Sequence, residues 1–575
     1  MRRTTLLGVI AAALLAAGLA ASAAQGATGR TPPLTQAKPD ALTLALHRGA
    51  LTPGQYALQR ALSVFRYDDV AARYGVVARP GPRDATFLLL DLAARRHELS
   101  GKERALAEAI LSRPADPRYA RPDDGQDPTE QHYSTDALAN YFFACAATFC
   151  VNWVTTTSNA PALTDADGNG IPDYVDAVGA TMGQVWDTEV AALGFRAPKS
   201  DANTTANPFN ENGLLDVYLV DLGGVQSGLY GYCSTDDPNI SPSYPGYDLS
   251  AYCVFDNDYS PSEYPQSAPL AALQATVAHE FAHASQFAYN YSQDRWFMEA
   301  TATWMEEQVF DDVNDNVQYL PDSALMNPGV PLDLNAYDGD LSLFKYGNWA
   351  FFQLLSEGLG PEVVRRTWEQ SDGAPGGPNL VSTYALEAAL EERGSSIAEA
   401  FANFGAANVW PPAFYEEGST WVFTDSRGRQ FQAAAPLPRA VQLSPRKRHA
   451  GARALVLDHL TTGYATFAPG KGTRKSARLQ VAVDLPDAEL GSEATIVTLA
   501  RNGRVGFYPI SLDAAGDGGR TVPFGKMSAV VVVLSNGSHY LDACGTALGG
   551  SVVFPCGGVP MDDGLSFAYD ARLVG

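Results

Sequence analysis

Residues 275–286 read Ala275-Thr-Val-Ala-His279-Glu280-Phe-Ala-His283-Ala-Ser-Gln286, and this stretch constrains the chain more than any other. Two histidines four residues apart lie on one face of a helix. They can offer two imidazole nitrogens to a single metal ion. Glu280 projects beside them, where it can take a proton from a water held by such an ion. His-Glu-x-x-His at this spacing is a zinc-hydrolase signature with that mechanism behind it. The fold must then supply a helix with one face in a core and the other on a cleft. Pro269 is a good first residue, because the N–H it lacks is not needed in a first turn. Leu270, Leu273, Val277 and Phe281 form an apolar stripe, with His279 and His283 opposite it. The chain has only 8 His in 575 residues, so the pair does not read as two chance core histidines.

A tetrahedral catalytic zinc takes three protein ligands and keeps one position open. The next histidine after His283 is His449, which excludes a third histidine close behind the motif. The next acidic stretch is Arg295-Trp-Phe-Met-Glu299-Ala-Thr-Ala302-Thr-Trp304-Met-Glu306-Glu307. A polar turn, Asn290 to Asp294, is long enough to reverse the chain before it. A helix returning alongside would bring its first turns to His283. Glu299 is the best-placed carboxylate, and Ala300 and Ala302 permit a close approach. Glu306 and Glu307 are expected to support the ligands from behind or to face solvent.

A second ion motif precedes the helix. In Asp165-Ala-Asp167-Gly-Asn169-Gly170-Ile171-Pro-Asp173-Tyr-Val-Asp176, oxygen-bearing side chains fall at positions 1, 3, 5, 9 and 12. Glycine stands at position 6, and Ile171 offers a backbone carbonyl at position 7. That is the pattern of a calcium loop, with Asp176 where a glutamate is usual. The bland alternative is a polar turn without an ion. Asp256 with Asp258, and the acidic turn at residues 311–315, are weaker cation candidates of the same kind.

These residues together resemble the gluzincin metallopeptidases. In that group His-Glu-x-x-His is followed by a glutamate that completes the zinc ligands, here His279, His283 and Glu299. The calcium loop, the Tyr-rich segment and the Trp-x-x-Glu helix are similar to a family of secreted bacterial metalloproteases, over about residues 130–370. The resemblance implies a zincin-type fold, peptide-bond hydrolysis, Zn²⁺ as cofactor and Glu280 as general base. It also implies an oxyanion donor, for which Tyr346 is the candidate, a packed aromatic being the alternative. One position departs from thermolysin-like enzymes. An Asp four residues after the ligand Glu orients a zinc histidine there, and Thr303 stands at that place here.

The ends of the chain frame this centre. Arg2 and Arg3, the apolar run Leu6 to Leu19 and Ala21-Ser22-Ala23 read as a signal peptide over residues 1–23. Export fits six cysteines in three close pairs, Cys145 with Cys150, Cys233 with Cys253 and Cys544 with Cys556. Neighbour pairing is the simplest of fifteen connectivities. Residues 25–130 carry 15 basic and 13 acidic side chains, whereas residues 131–575 carry 23 against 51, a net of −28. So acidic a surface excludes nucleic acid and anionic membranes as natural partners and suits calcium. Leu42 to Leu51, Pro53 to Arg66 and Lys102 to Leu111 have helical spacing, and residues 113–128 are polar and Pro-rich like a linker. Residues 24–130 are therefore expected to be a helical propeptide. Leu214 to Leu222 alternates as a strand, while residues 223–266 read as loop. After Pro411 short strand-like runs alternate with turns such as Asn502-Gly503 and Gly516-Asp-Gly-Gly519, which predicts an all-β sandwich at 440–575.

The expected architecture is a helical propeptide, an α+β zincin-type catalytic domain at 131–415 and the C-terminal sandwich. The expected function is a secreted zinc endopeptidase acting on protein or peptide substrates, without membrane insertion. Two alternatives remain in the sequence: a zinc hydrolase of another substrate class, and a calcium-stabilised binding or adhesion protein on an inactive peptidase scaffold. The oligomeric state is not readable.

Overall fold

A computed structural model of the protein describes residues 40–66, 69–70, 74, 85–122, 131–202, 212–225, 228–335, 341–425, 427–544 and 553–575. The expected signal peptide and residues 123–128 of the expected linker lie outside these. No helix among the described residues is long and apolar enough to cross a membrane.

Four helices come first: α1 (Ala41–His47), α2 (Pro53–Phe65), α3 (Ala85–Arg95) and α4 (Gly101–Ile110). Thr52 and Gln55 cap the start of α2 reciprocally, which satisfies two otherwise orphan N–H groups. The run Phe87-Leu-Leu-Leu-Asp-Leu92 makes α3 apolar almost all round, and a helix of that kind must be covered on several sides. It is covered partly by α2 and partly by the sheet that follows. Leu88, Leu89 and Leu92 belong to the same hydrophobic core as Val217, Val254 and Phe281.

That shared core corrects the linker expectation. Arg113 is fully buried. Its guanidinium meets Asp236 at 2.8 Å, Asp216 at 2.6 Å and Asp201 at 2.8 Å. Tyr252 donates its hydroxyl hydrogen to the Leu111 carbonyl at 3.0 Å. The polar composition of residues 113–116 therefore does not mark solvent. It marks a buried ion cluster, where a charge is tolerated only with its partners in place.

The central sheet holds β1 (Tyr141–Cys145), β2 (Phe149–Val154), β3 (Leu215–Val220), β4 (Gly231–Ser234) and β5 (Tyr252–Asp256) in the order β1-β2-β3-β5-β4. β2, β3 and β5 are parallel, and β4 runs antiparallel at one edge. The segment read as loop at 223–266 thus contains two strands. They are short, and their all-buried residues lack the alternation that betrays a half-exposed strand. Around the sheet lie α5 (Thr135–Leu138), α6 (Asp173–Trp186), α7 (Leu222–Val225), α8 (Pro269–Asn290) and α9 (Arg295–Val309). On α8, Leu273, Val277 and Phe281 are buried as expected, but Leu270 in its first turn is exposed. Five more helices follow: α10 (Phe344–Gly347), α11 (Trp349–Leu359), α12 (Glu362–Gln370), α13 (Ser382–Glu391) and α14 (Ile397–Ala407).

The C-terminal part is β-rich. A small hairpin, β6 (Val422–Thr424) and β7 (Gln430–Gln432), leads into it. The first sheet joins β8 (Val441–Leu443), β10 (Thr461–Pro469), β12 (Ser492–Ala500), β13 (Val505–Pro509) and β15 (Met527–Asn536). The second joins β9 (Arg453–Leu457), β11 (Arg478–Asp484), β14 (Asp517–Pro523) and β18 (Leu565–Val574). Ile496 and Val532 of the first share one cluster with Val481 and Phe567 of the second, as two stacked sheets do. The glycines at 518–519, read as a turn, lie inside β14 against β11. A last pair, β16 (Leu541–Asp542) and β17 (Val559–Pro560), completes the list of strands. The outer face of the first sheet packs on α14 through Val531, Val533 and Ala406. All three neighbouring cysteine pairs are disulfides.

Candidate metal centre

Gln286 on α8 meets Met298 and Thr301 on α9, while His279 meets Glu306. The two helices therefore run antiparallel, with the ligand residues between them. Three atoms converge. His279 Nε2 and His283 Nε2 are 3.1 Å apart, and Glu299 Oε2 lies 3.1 Å from the first and 3.5 Å from the second. The other ring nitrogens point outward. His279 Nδ1 is held at 2.8 Å by Glu306 Oε1, and His283 Nδ1 at 2.8 Å by Gln286 Oε1. Gln286 is itself fixed by donating to the Met298 carbonyl at 3.0 Å. An outward Nδ1–H leaves each Nε2 lone pair facing the common point, as metal-binding histidines require. The support missing at Thr303 is thus supplied seven residues beyond the ligand Glu, by Glu306.

The charge pattern fits a cation. Glu299 is fully buried, and its Oε1 has no hydrogen-bond partner. Burial opposes charge on both Glu299 and His279, yet the hydrogen bonds between them override it. The Glu299 carboxyl is held far below the usual carboxylate range. Against burial, Glu299 and Glu306 push His279 up to about 10. A pocket that draws in positive charge this strongly can hold a proton or a metal ion.

Glu280 is 7 % exposed and lines a small cleft of about 50 Å³ together with Tyr230, Thr276, His279 and Tyr346. Its Oε2 accepts a hydrogen bond from the Thr86 hydroxyl at 2.9 Å. The same Thr86 oxygen accepts from the backbone N–H of Cys233, on the edge strand β4, at 3.0 Å. Beside it Phe87 meets the His283 ring edge-on at 5.3 Å between centroids, and the Arg295 guanidinium lies over Phe87. So α3 covers the face of the centre that Glu280 addresses. Tyr346 does line the cleft, with its ring stacked at 5.8 Å on His279 and at 5.3 Å on Tyr319.

The loop at 165–176 is wound as its glycines dictate. Gly168 and Gly170 have φ of +73° and +88°, which only glycine adopts freely. Asp165 accepts from the N–H groups of Gly168, Asn169 and Gly170. Asn169 accepts from Ile171 N–H and donates to Asp167 and Asp176, and Asp173 accepts from Ala166. Among the described residues three groups of acids or histidines converge to within 4.8 Å, and the acids of this loop form none of them. One group is His279, His283 and Glu299. Another is Asp221, Asp256 and Glu263, where Asp256 is satisfied by the N–H groups of Leu222, Gly223, Asp258 and Tyr259. The third is Glu307, Asp311 and Glu417.

Compared with known protein families, the chain matches none, and no curated protein matches it either.

Two residues at the centre were not assigned from sequence. Gln286 was legible in principle, since it stands three residues after His283 on the same helix face. Thr86 was not, because only tertiary packing brings α3 to Glu280.

Proposed function

We propose that the protein is an exported zinc endopeptidase whose centre is His279, His283 and Glu299, with Glu280 as general base. The observation that carries this reading is the convergence of the two Nε2 atoms and Glu299 Oε2 beside a carboxylate that is not a ligand. His279, His283 and Glu299 would hold Zn²⁺, which would supply a Lewis acid that lowers the pKa of water and polarises a carbonyl oxygen. Glu280, beside these three and not one of them, would accept a proton from the attacking water and return it to the leaving nitrogen. Glu306 and Gln286 keep the imidazoles in the tautomer that ligates. Tyr346, against His279 in the cleft, donates to the oxygen on which negative charge develops. The disulfides suit an oxidising compartment outside the cytoplasm. The loop at 165–176 would take Ca²⁺ as a structural ion on the spacing of its acids, which the ion would have to draw together.

On the same reading the chain is made latent. The hydrogen bond from Thr86 ties up the base that must accept a proton. The edge N–H of Cys233, free to pair with an extended peptide, is already taken. Residues 24–130 then act as the propeptide, and activity requires α3 to release Glu280. Cutting the chain near residue 128 is not enough by itself, because Arg113 still holds its three aspartates.

The test is metal analysis of the purified chain together with hydrolysis of an unfolded protein substrate by its Thr86→Val, Phe87→Ala variant, in which the contact of α3 on Glu280 is removed. One zinc per chain is expected, with hydrolysis abolished by a chelator and restored by zinc but not by calcium. Hydrolysis that survives complete zinc removal would exclude the assignment.

A further inference from the structure

The acidic total over residues 131–575 is unevenly spread. Residues 131–440 hold 10 basic side chains against 40 acidic ones, whereas residues 441–575 hold 13 against 11. Within the C-terminal part the two signs separate again, along the strands. β11 begins at Arg478 and ends at Asp484, which lies opposite Asp517 of β14. The connections beyond that end add Asp487, Glu489 and Asp513. At the other end of the same strands the turns carry cations and no acid.

Four turns form that basic end. They are Ser444-Pro-Arg446-Lys447-Arg448 after β8, Gly470-Lys471-Gly-Thr-Arg474-Lys475-Ser476 before β11, Arg501-Asn-Gly-Arg504 after β12, and Phe524-Gly-Lys526 after β14. Backbone hydrogen bonds join them in a row. The Gly470 N–H donates to the Leu443 carbonyl at 2.7 Å, Phe524 and Gly525 donate to Ala477 at 3.0 and 2.9 Å, and Arg501 donates to Lys526 at 3.4 Å. With Arg478, ten cationic side chains share this surface, and all ten are exposed. Among the described residues none of them meets a carboxylate, and Arg448, Arg478 and Arg501 donate instead to the carbonyls of Leu573, Thr521 and Met527. Elsewhere on the surface Arg104, Arg365, Arg366 and Arg429 each pair with an acid. Cations gathered on one surface without counter-charges build a field that draws in a polyanion.

The surface also narrows the kind of polyanion. Phe524 is fully buried, so these turns expose no aromatic ring on which bases could stack, and they present no helix to a groove. None of their large apolar side chains is exposed to sink into a bilayer. What fits is a flexible polymer with closely repeated anionic groups, read by charge alone. We propose that this end of the sandwich is an attachment surface for an anionic polysaccharide, held through its carboxylate or sulfate groups. Naming a polysaccharide rests on the reading of the protein as exported. The attachment itself is independent of the metal centre.

Dextran sulfate and polygalacturonate titrated into the full chain at neutral pH and several salt concentrations test this, with neutral dextran, random-sequence duplex DNA and phosphatidylglycerol vesicles alongside. Both anionic polysaccharides should bind, neutral dextran should not, and affinity should fall steeply with salt as counterions are released. The triple variant Lys471→Ser, Arg474→Ser, Lys475→Ser should bind at least tenfold more weakly. The double variant Arg446→Ser, Lys447→Ser should weaken binding independently. All five positions lie in exposed turns, so both variants should melt with the wild type. Three results would each overturn the proposal: no binding of either polysaccharide at about 0.15 M salt, binding unchanged in both variants, or tighter binding of duplex DNA or vesicles than of the polysaccharides. None of these readings involves hydrolysis, so such a result would leave the peptidase assignment standing.

Discussion

The Thr86 hydroxyl donates to the Glu280 carboxylate at 2.9 Å across 194 residues of sequence. A hydrogen bond to a charged acceptor contributes roughly 1.5–3 kcal/mol. Thr86→Val keeps the shape and removes the donor. Combined with Phe87→Ala it should raise peptide hydrolysis about tenfold or more, since 1.4 kcal/mol corresponds to a factor of ten. Binding of a fluorescent hydroxamate to the centre should rise in parallel. Equal probe binding to the variant and the wild type would show that α3 does not guard the site.

Glu306 holds His279 Nδ1 at 2.8 Å. Removing such a supporting partner typically costs about 10–100-fold in metal affinity. Glu306→Gln should show a loss of that size in competition with a chromophoric zinc chelator, with circular dichroism unchanged. Thr303→Ala should leave zinc affinity as it was.

Arg113 is enclosed by Asp201, Asp216 and Asp236. Replacing it leaves buried carboxylates unpaired, for which a cost of about 3–5 kcal/mol is expected. Arg113→Leu should therefore lower the urea midpoint strongly, or prevent accumulation of folded protein. A midpoint like that of the wild type would mean that residues 85–122 are not built into the core.

His459 bridges the two parts of the molecule. It is fully buried, with Asp333 at 2.9 Å on one ring nitrogen and Asp563 at 2.7 Å on the other. Burial disfavours its charge, but Asp333 and then Asp563 raise it to about 10. The folded value lies above the ordinary 6.5, so the protonated ring contributes stability fully below about pH 6.5. That contribution fades as pH rises towards 10. The difference in unfolding free energy between wild type and His459→Gln should therefore be largest near pH 6 and shrink on the alkaline side, from a starting value on the order of 3 kcal/mol. A constant difference from pH 6 to 10 would contradict a charged bridge.

How far the sequence carries the reader depends on how local the determinant is. His279 and His283 are legible because helical spacing alone puts them on one face. Glu299 follows from one turn and one reversal of direction. The strands around Leu479 and Val531 show in their β-branched runs, whereas β4 and β5 do not, because buried strands lack alternation. What stays hidden is set by distant packing. Arg113 looks like part of a polar linker until Asp216 is seen beneath it. Thr86 lies in an apolar run whose helix is not apparent from the neighbouring segments, and nothing near it announces Glu280. In the loop at 165–176, the spacing of the acids is plain, but the structure turns them to the loop's own N–H groups and does not bring them to one point.

The most direct test of the central assignment is Glu280→Gln, made in the Thr86→Val, Phe87→Ala protein so that the contact of α3 on residue 280 is already removed. Zinc content and cleavage of an unfolded protein substrate are measured on the same preparation. The variant should keep one zinc per chain and lose hydrolysis by at least a hundredfold, within the range general-base catalysis contributes. Hydrolysis at the parent rate, with zinc still bound, would contradict the account.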